Sequence, residues 1–481
     1  MLLISSYSWA QEQAITSEIT QNEVEAHIRF LAADALKGRD TGTPELKIAA
    51  SYLAAQFQSY GVQTVEGADG YFQDVPLTKQ KPPQQASLSY NGQELQLAED
   101  LLVMQGGNTQ ISGKTVYVNF GTEEDLEGIN ISGKIVIAKA GLPGETNPQA
   151  FLAAGADKLQ RVKAGGGKGL VELYKSTQVP WALLVRYLNS ERLSLGSTTK
   201  EEESLPYLWL NDPANEHVDS FQQSSKNVTV NIEGKSDETI ISQNVIGKIE
   251  GTDPTLKNEY LLLTAHYDHV GVEEGKNLED SIYNGARDNG IGLASLLSAA
   301  RYLGQHPPKR SVILLAVTAE EKGLLGSQWY AENPLVPMEQ VVFNLNTDGA
   351  GYNDTSRITI IGMGRTSTDE AYSEAAQAVG LSAEPDPAPE QNLFDRSDNV
   401  NFAQRGVPAV TFSPGFTAFD QEIMKYYHQL ADEAESLSFS YLEKLCEAYV
   451  LAAQKIANAE QPPTWKAGDK YEPAAKELYG R

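Results

Sequence analysis

From residue 244 onward, short apolar runs of strand length alternate with longer runs whose apolar residues recur every three or four positions. Runs of the first kind are typical of buried strands, and runs of the second kind are typical of amphipathic helices. Strands that alternate with helices along a chain build a largely parallel sheet that is covered on both faces. The pattern therefore predicts an α/β fold with a mixed, largely parallel sheet flanked by helices.

The predicted elements of this part are strand 260–265, helix 290–303, strand 311–318, helix 323–332, strand 341–346, helix 368–379, strand 407–412 and helix 438–457. Two more amphipathic helices are predicted at 22–37 and 44–60, and Thr43 is expected to cap the second of them. Because these two helices have no strands of their own to cover, we assign them to the same α/β domain.

Residues 88–235 differ from the flanking parts, because short β-branched or alternating runs follow one another between glycine-rich turns. Examples are the runs at 115–118, 134–138, 181–185 and 228–232. This pattern predicts a β-rich domain with one or two helices, inserted into the α/β domain. The predicted division is an N-terminal tail at 1–20, a first α/β segment at 21–87, the inserted domain at 88–238, the remaining α/β segment at 239–460 and a C-terminal tail at 461–481.

The N-terminal tail begins with apolar residues, and Ser8-Trp9-Ala10 resembles the small-residue site at which signal peptides are cleaved. A complete signal peptide has a basic region before its apolar run, and no basic residue precedes this stretch. We interpret it as the remnant of a secretory signal and expect a periplasmic or secreted protein. The alternative is the frayed N-terminus of a cytosolic protein.

Composition excludes some classes of partner. The net charge of −26 argues against nucleic acid and anionic membranes, because both are bound by clusters of Lys and Arg. We expect no membrane insertion, because no later apolar run reaches the roughly 18 residues that a spanning helix needs. The single cysteine, Cys446, excludes an intrachain disulfide and is predicted to be a small core residue on the apolar face of helix 438–457.

Polar residues follow the predicted strands at the points where those strands end, and ligands bind beyond the carboxyl ends of the strands in open α/β sheets. The residues at these strand ends and in two further loops are His266, Asp268, Asp288, Glu320, Glu321, Asp348, Tyr427 and His428. Two imidazoles with several carboxylates and no thiol suit Zn²⁺ or a similar divalent ion. Two such ions about 3.5–4 Å apart, bridged by one carboxylate, would use five protein ligands.

The motifs that contain these residues resemble, in the same order, those of co-catalytic dinuclear zinc aminopeptidases. They are His266-Tyr-Asp268, Gly285-Ala-Arg-Asp288-Asn289, Thr318-Ala-Glu320-Glu321-Lys-Gly-Leu-Leu-Gly-Ser327, Asn346-Thr-Asp348, Ser397-Asp398 and Tyr427-His428. The inserted β-rich domain resembles the protease-associated domain of many such enzymes. The stretch Leu36-Lys-Gly-Arg-Asp-Thr-Gly-Thr-Pro44 resembles the bacterial secreted members.

The resemblance implies a zinc exopeptidase fold of the phosphorylase/hydrolase-like type that holds two Zn²⁺ per chain. His266 and Asp348 would be the terminal ligands of the first ion, and Glu321 and His428 those of the second. Asp288 would be the carboxylate that bridges the two ions.

Three further residues receive catalytic roles from the same resemblance. Glu320 would be the catalytic base, and Asp268 would be a carboxylate that orients His266. Tyr427 stands where some relatives place a phenol that stabilises an oxyanion; the alternative is a packed aromatic ring. His269 lies outside the ligand pattern and is interpreted as a loop residue.

Two positions depart from the pattern of the family. Asn399 follows Ser397-Asp398, where the family usually has a histidine, so the wall of the substrate pocket is expected to differ. Arg287 stands beside Asp288 in place of a small or acidic residue, which would alter the charge of a subsite.

The implied function is hydrolysis of N-terminal residues from peptide substrates by a two-metal hydroxide mechanism, with Glu320 as general base. A zinc carboxypeptidase stays open, because Arg287, Arg365 and Arg396 lie near the motifs and a terminal carboxylate needs a cation. A glutaminyl cyclase on the same fold uses one zinc, and the five-ligand set argues against it. A non-catalytic binding protein would have lost a ligand or the base, and none is missing.

Overall fold

The computed structural model describes residues 18–145, 148–175, 179–196, 205–273 and 280–480. The chain folds into two compact units. The main unit combines the segment up to Pro76 with the segment from Ile240 onward, and the inserted unit is Leu77–Thr239. The secretory signal predicted from residues 1–10 lies outside the described residues.

The strands are β1 (Phe72–Lys81), β2 (Gln85–Tyr90), β3 (Gln93–Gln96), β4 (Leu101–Gln105), β5 (Thr109–Tyr117), β6 (Ile135–Lys139), β7 (Gly169–Tyr174), β8 (Arg192–Leu195), β9 (Tyr207–Asn211), β10 (Asn227–Glu233), β11 (Ser236–Ile249), β12 (Tyr260–His266), β13 (Ser311–Val317), β14 (Val341–Thr347), β15 (Arg357–Ile361), β16 (Ser382–Pro385) and β17 (Ala409–Pro414).

The α-helices are α1 (Gln21–Leu31), α2 (Pro44–Ser59), α3 (Glu123–Leu126), α4 (Pro148–Ala164), α5 (Trp181–Leu188), α6 (Glu216–Gln223), α7 (Ile291–Gln305), α8 (Leu325–Glu332), α9 (Asp369–Ala378), α10 (Asn399–Gln404), α11 (Gln421–Met424), α12 (Phe439–Asn458) and α13 (Glu472–Tyr479). Among the described residues, no helix is both long enough and apolar enough to span a bilayer.

The main unit is built on one mixed sheet, in which the strands follow the order β16-β15-β17-β14-β12-β13-β11-β1. The pairs β12–β13, β12–β14, β14–β17 and β15–β16 are parallel. The pairs β11–β13 and β15–β17 are antiparallel. The predicted α/β fold with a mixed, largely parallel sheet is confirmed.

Helices cover both faces of this sheet, which is why its central strands are buried along nearly their whole length and are mostly apolar. Leu261 and Leu263 of β12 join one buried cluster with residues of α7 and α12, whereas Leu262 joins a second cluster with Tyr330 of α8 and Phe402 of α10. Side chains alternate between the faces of a strand, so a run that is buried on both faces is mostly apolar. Each fully buried leucine contributes about 1.5–3 kcal/mol.

The N-terminal helices pack into the first of these clusters. Thr43 caps α2, as expected, since its hydroxyl accepts the backbone N–H of Leu46 at 3.3 Å. The helix predicted over 22–37 is shorter, because α1 ends at Leu31 and a tight turn follows at Asp34–Arg39. Lys37, Gly38 and Arg39 all have positive φ, which an α-helix does not allow. Cys446 is buried in the same cluster, as predicted.

The inserted unit contains an eight-stranded sheet in the order β3-β2-β10-β5-β6-β7-β9-β4. The run 181–185, predicted to be strand-like, instead lies in the helix α5, which begins after Pro180. An apolar run of this length has no periodicity that separates a strand from a helix, so the interpretation was wrong. Helices also form at α3, α4 and α6, and β1 carries the chain into this unit at Leu77, before the predicted start at 88.

Candidate metal centre

Parallel strands bring their carboxyl ends to one edge of the sheet, and the predicted site residues meet at that edge. His266 is the last residue of β12, and Asp348 follows the last residue of β14. Glu320 and Glu321 lie in the turn after β13. Asp288 lies in the turn that leads into α7, and His428 comes after α11.

The Asp288 carboxylate stands between two imidazoles. Its Oδ1 atom lies 3.1 Å from His266 Nε2, and its Oδ2 atom lies 3.2 Å from His428 Nε2. His266 Nε2 is also 3.2 Å from Asp348 Oδ1, and His428 Nε2 is 3.1 Å from Glu321 Oε2. The five residues predicted to be ligands therefore form two groups that share one carboxylate.

The donor set fits zinc. One oxygen or nitrogen from each of His266, Asp288 and Asp348 lies within 4.8 Å of the others, and the same holds for His269, Asp288 and Glu321. His266 Nδ1 donates to the backbone carbonyl of Asp268 at 3.1 Å, so its Nε2 atom is the nitrogen that can bind a cation. Buried imidazoles and carboxylates in this arrangement match the ligands that Zn²⁺ takes in proteins.

Burial and charged neighbours shift the pKa values of residues in this cluster. Burial raises the pKa of Asp288, but the hydrogen bonds from His266 and His428 outweigh it and hold that pKa well below its usual range. Burial lowers the pKa of His428, but hydrogen bonds to Asp288 and Glu321 raise it to about 10. The two imidazoles thus place positive charge beside the carboxylates, where a bound cation would otherwise supply it.

His269 belongs to this cluster, although it was interpreted as a loop residue outside the pattern. It lies outside any strand, but its side chain is fully buried and its Nδ1 atom lies 2.8 Å from Glu321 Oε1. Its ring packs edge-on against His428, with the ring centroids 5.7 Å apart. Sequence reasoning missed this contact, although a second imidazole three positions after His266 was the available signal.

The Asp268 carboxylate contacts a different partner from the one predicted. Its oxygens accept the backbone N–H groups of Glu320 and Glu321, at 3.0 and 3.3 Å, and the hydroxyl of Thr41 at 3.1 Å. The backbone carbonyl of Asp268, and not its carboxylate, receives the Nδ1 proton of His266. The predicted orientation of His266 by the carboxylate is therefore corrected: the side chain holds the turn that carries the two glutamates.

Glu320 lines the cavity beside this cluster without being one of its paired carboxylates. Burial raises the pKa of Glu320 well above its usual range; His266 lowers it, and the nearby Asp348 and Asp398 carboxylates raise it further. A carboxyl group in such surroundings binds a proton more readily than an exposed glutamate does.

The cavity is lined by the proposed ligands and by an apolar wall. The wall is formed by Ile361, Leu393, Phe416, Phe419, Ile423 and Tyr427. Tyr427 stacks on His428 at a centroid distance of 4.1 Å, and its hydroxyl accepts a hydrogen bond from Arg396 at 3.2 Å. Tyr427 is therefore both a packed aromatic and a residue whose hydroxyl lies at the cavity.

The two departures from the family pattern have distinct surroundings. Asn399 is buried, accepts the Thr411 hydroxyl at 2.9 Å and donates to the Phe394 carbonyl at 3.1 Å. Arg287 donates to the Ser436 carbonyl at 3.0 Å, and its guanidinium lies 3.6 Å from the Tyr426 ring centroid.

The three arginines near the motifs differ in their access to the cavity. Arg365 pairs with Asp469 at 2.8 Å, and Arg287 is held by Ser436. Of these three, Arg396 alone is among the described residues that line the cavity.

Known proteins resemble this chain in sequence and in fold. Residues 244–453 match the family model described as Peptidase family M28. The chain is 26% identical to aminopeptidase YwaD of Bacillus subtilis over 243 residues, which are 50% of this chain and 49% of that protein. It is 32% identical to the vacuolar membrane protease of Saccharomyces cerevisiae over 136 residues, which are 28% of this chain and 12% of that protein. The matched region is thus about half of the Bacillus relative and a smaller part of the yeast one.

A solved structure extends the likeness of fold across most of the chain. The aminopeptidase from Aneurinibacillus sp. strain AM-1 superposes with a TM-score of 0.61 at 20% sequence identity, covering 94% of this chain and 97% of that one. The family model covers the same residues that carry the motifs and the clustered ligands. Residues 244–453 therefore match peptidase family M28, and this match confirms the resemblance to dinuclear zinc aminopeptidases over that part of the chain.

Proposed function

We propose that this protein is a zinc-dependent aminopeptidase that binds two Zn²⁺ and removes N-terminal residues from peptides. The observation that carries the proposal is the Asp288 carboxylate, whose two oxygens each face an imidazole of a different ligand group. A shared carboxylate of this kind can hold a pair of neighbouring divalent ions. The aminopeptidase relatives support the reaction class.

His266, Asp348 and Asp288 would hold the first ion, and His428, Glu321 and Asp288 would hold the second. The ions would supply Lewis acidity to the attacking water and to the carbonyl of the scissile bond. Ser397 holds Asp348 in place, since its hydroxyl donates to Asp348 Oδ2 at 2.5 Å.

Glu320 acts as general base and then as general acid. It accepts a proton from the attacking water and returns that proton to the leaving amine. Burial raises the pKa of Glu320, which favours uptake of the proton by its carboxylate.

Tyr427 stabilises the developing oxyanion. The Arg396 guanidinium can only donate, so the Tyr427 oxygen accepts that bond and keeps its own proton for the substrate. A donor aimed at the position where negative charge develops stabilises the transition state.

The substrate binds by its free α-amine and by its N-terminal side chain. Carboxylates that surround the centre attract a protonated amine, and the apolar wall suits an apolar side chain. Arg396 favours one rival, a carboxypeptidase, because it is a cation at the cavity that could bind a terminal carboxylate.

The proposal also includes the type of inserted domain and the location that the sequence predicts. The inserted unit is a protease-associated domain, and the enzyme works in the periplasm or outside the cell.

The deciding experiment compares aminoacyl anilides, their N-acetylated forms and N-blocked peptides with a free C-terminus, each with and without a chelator. We expect rapid hydrolysis of anilides with a free amine and an apolar residue, loss of activity with the chelator, and recovery with Zn²⁺. Release of C-terminal residues from blocked peptides would instead identify a carboxypeptidase, and cyclisation of N-terminal glutamine would identify a cyclase.

Replacement of Glu320 by Gln tests its role. Because the amide cannot take up the proton, we expect turnover to fall about 10²- to 10⁴-fold while bound zinc and the unfolding temperature stay unchanged. Exposed Glu339 provides a matched control, and Glu339→Gln is expected to retain full turnover. A fully active Glu320→Gln protein would contradict the assignment.

A further inference from the structure

The stretch 37–41, which joins α1 to α2, lies against the metal centre. It begins with three residues of positive φ, namely Lys37 (φ 43), Gly38 (φ 67) and Arg39 (φ 49). Residues other than glycine adopt this conformation rarely, and they keep it where the surroundings impose it. The contacts of the stretch with the loops of the centre supply these surroundings.

The Arg39 side chain is fully buried and donates to four backbone carbonyls. Its Nε atom lies 2.9 Å from the carbonyl oxygen of Tyr267, the residue that follows the ligand His266. Its Nη1 and Nη2 atoms lie 2.7 and 3.0 Å from the carbonyls of Asn284 and Gly285, in the loop that leads to Asp288. The fourth acceptor is the carbonyl of Leu31, at the end of α1.

The backbone of the stretch pairs with the same loop that follows β12. The N–H of His269 donates to the Arg39 carbonyl at 3.1 Å, and the N–H of Gly271 donates to the Gly38 carbonyl at 3.1 Å. A side chain at Gly38 would collide with the carbonyls of Gly271 and Tyr283, which explains the glycine at this position.

The last two residues of the stretch reach the turn that carries the glutamates. Asp40 pairs with Lys322, the neighbour of Glu321, at 2.6 Å. The Thr41 hydroxyl donates to the Asp268 carboxylate at 3.1 Å, and that carboxylate accepts the N–H groups of Glu320 and Glu321. The stretch therefore contacts three loops: the loop after β12, the loop before α7 and the loop after β13.

The charge of Arg39 suits a site that is crowded with carboxylates. Burial lowers the pKa of Arg39 to about 10, while Asp432, Asp288, Asp268 and Glu321 favour its charged form. Arg39 therefore remains positive at neutral pH and offsets part of the negative charge of the ligands before any cation binds.

We propose that Arg39 is a positioning residue of the metal centre, which sets zinc affinity by fixing the loops of His266 and Asp288 relative to each other. This inference rests on the two-zinc centre of the proposed function. Arginine is needed because its planar fork spans carbonyls of separate loops, whereas lysine presents a single point charge. Replacement of a residue that orients metal ligands without binding the metal itself lowers metal affinity about 10- to 100-fold.

The test measures zinc affinity of the purified full chain by competition with a chromophoric chelator, together with thermal unfolding of the metal-free protein. We expect Arg39→Lys to weaken zinc binding about 10- to 100-fold. The control is Arg310→Lys. Arg310 is also fully buried, pairs with Glu259 at 2.7 Å and lies at the opposite end of β13 from the glutamates. This control should lose stability and keep its zinc affinity.

A second variant, Thr41→Val, removes one hydroxyl from the stretch at nearly constant volume and decides the question if Arg39→Lys does not fold. It should weaken zinc binding by a smaller factor than Arg39→Lys, with little change in unfolding temperature. Zinc affinity equal to that of the parent in Arg39→Lys, or in Thr41→Val if only that variant folds, overturns the inference. If the parent itself binds no zinc, the proposed function fails instead, so the two failures are distinguishable.

Discussion

The Asp268 carboxylate supports the glutamate-bearing turn through three hydrogen bonds, and two of its partners are backbone N–H groups. Because it is buried, a loss of these bonds would leave N–H groups of the turn without acceptors. The position of Glu320, the proposed base, and of Glu321, a proposed ligand, therefore depends on Asp268. Of the groups of Asp268, His266 contacts the backbone carbonyl, which any residue would supply.

The variant Asp268→Asn separates these two dependences. It keeps the carbonyl that receives the His266 proton, but its amide presents N–H donors to groups that are donors themselves. We expect zinc affinity and kcat/KM each to fall about 10- to 100-fold, measured by chelator competition and by anilide hydrolysis. Asp253→Asn is the matched control, since Asp253 accepts two backbone N–H groups in a turn that precedes β12, whereas Asp268 follows that strand. Parent-like values in Asp268→Asn would show that the turn does not need the carboxylate.

At this scale the sequence predicts which residues meet, but not which way each one points. The proposed ligands could be located because strand ends of a parallel sheet share an edge. The direction of the Asp268 side chain depends on Thr41 and on the turn after β13, which are distant in sequence. The same is true of His269, whose backbone N–H is held by Arg39. Spacing along the chain carries no information on such contacts.

Among the elements, those buried on both faces were predicted to within a few residues. β12, β13 and β14 are buried along nearly their whole length and are mostly apolar, and their helices α7 and α12 show a clear apolar stripe. The short strands β15 and β16 were missed. β16 lies at the edge of the sheet and ends in Pro385, and short edge strands have neither the length nor the alternation that a pattern search requires.

Helix α12 carries one charged group that opposes burial. Burial and the neighbouring Glu443 together raise the pKa of Glu447 to about 7, against the opposing effect of Lys444. A carboxyl group whose pKa is higher in the folded state favours folding while it is protonated. That contribution is complete below the unfolded pKa of about 4.3 and is lost as the pH rises through 7.

The variant Glu447→Gln should therefore behave differently at the two ends of this range. We expect its unfolding temperature to match that of the parent near pH 4 and to exceed it near pH 8, because glutamine is never ionised. Thermal unfolding at both pH values is the measurement, with Glu339→Gln as an exposed control that shows no such difference. An equal offset at both pH values would contradict the raised pKa.

At the scale of the whole molecule, the inserted unit has a polar centre of its own. Lys158 is 1% exposed and donates to Glu172 Oε1 at 2.5 Å and to the carbonyls of Lys139 and Gly141 at 2.8 and 2.6 Å. The other oxygen of Glu172 accepts from Tyr207 and Trp209. Every partner in this network is satisfied, so removal of one charge leaves the other buried and unpaired.

The variant Lys158→Met should destabilise the protein by about 3–5 kcal/mol in denaturant unfolding, because Glu172 loses its counter-charge. Adding Glu172→Gln should recover part of that loss, since the amide is neutral and its oxygen still accepts from Trp209. Lys466→Met removes a half-exposed lysine that pairs with Asp369 and should cost less than about 1 kcal/mol. If Lys158→Met destabilised the protein as little as Lys466→Met does, the buried pair of Lys158 and Glu172 would contribute nothing to stability.

The order of the proposed ligands along the chain also affects how the protein is made. Arg39 is synthesised before all of the proposed ligands. His266 and His428, whose imidazoles face Asp288, are synthesised much later. The inserted unit is complete in sequence before the first of these ligands is synthesised. Domains generally fold as units during synthesis, from the N-terminus onward. Under the proposed function, a growing chain therefore lacks a complete bridged centre until His428 has been added, and an unfinished protein cannot attack its newly made neighbours.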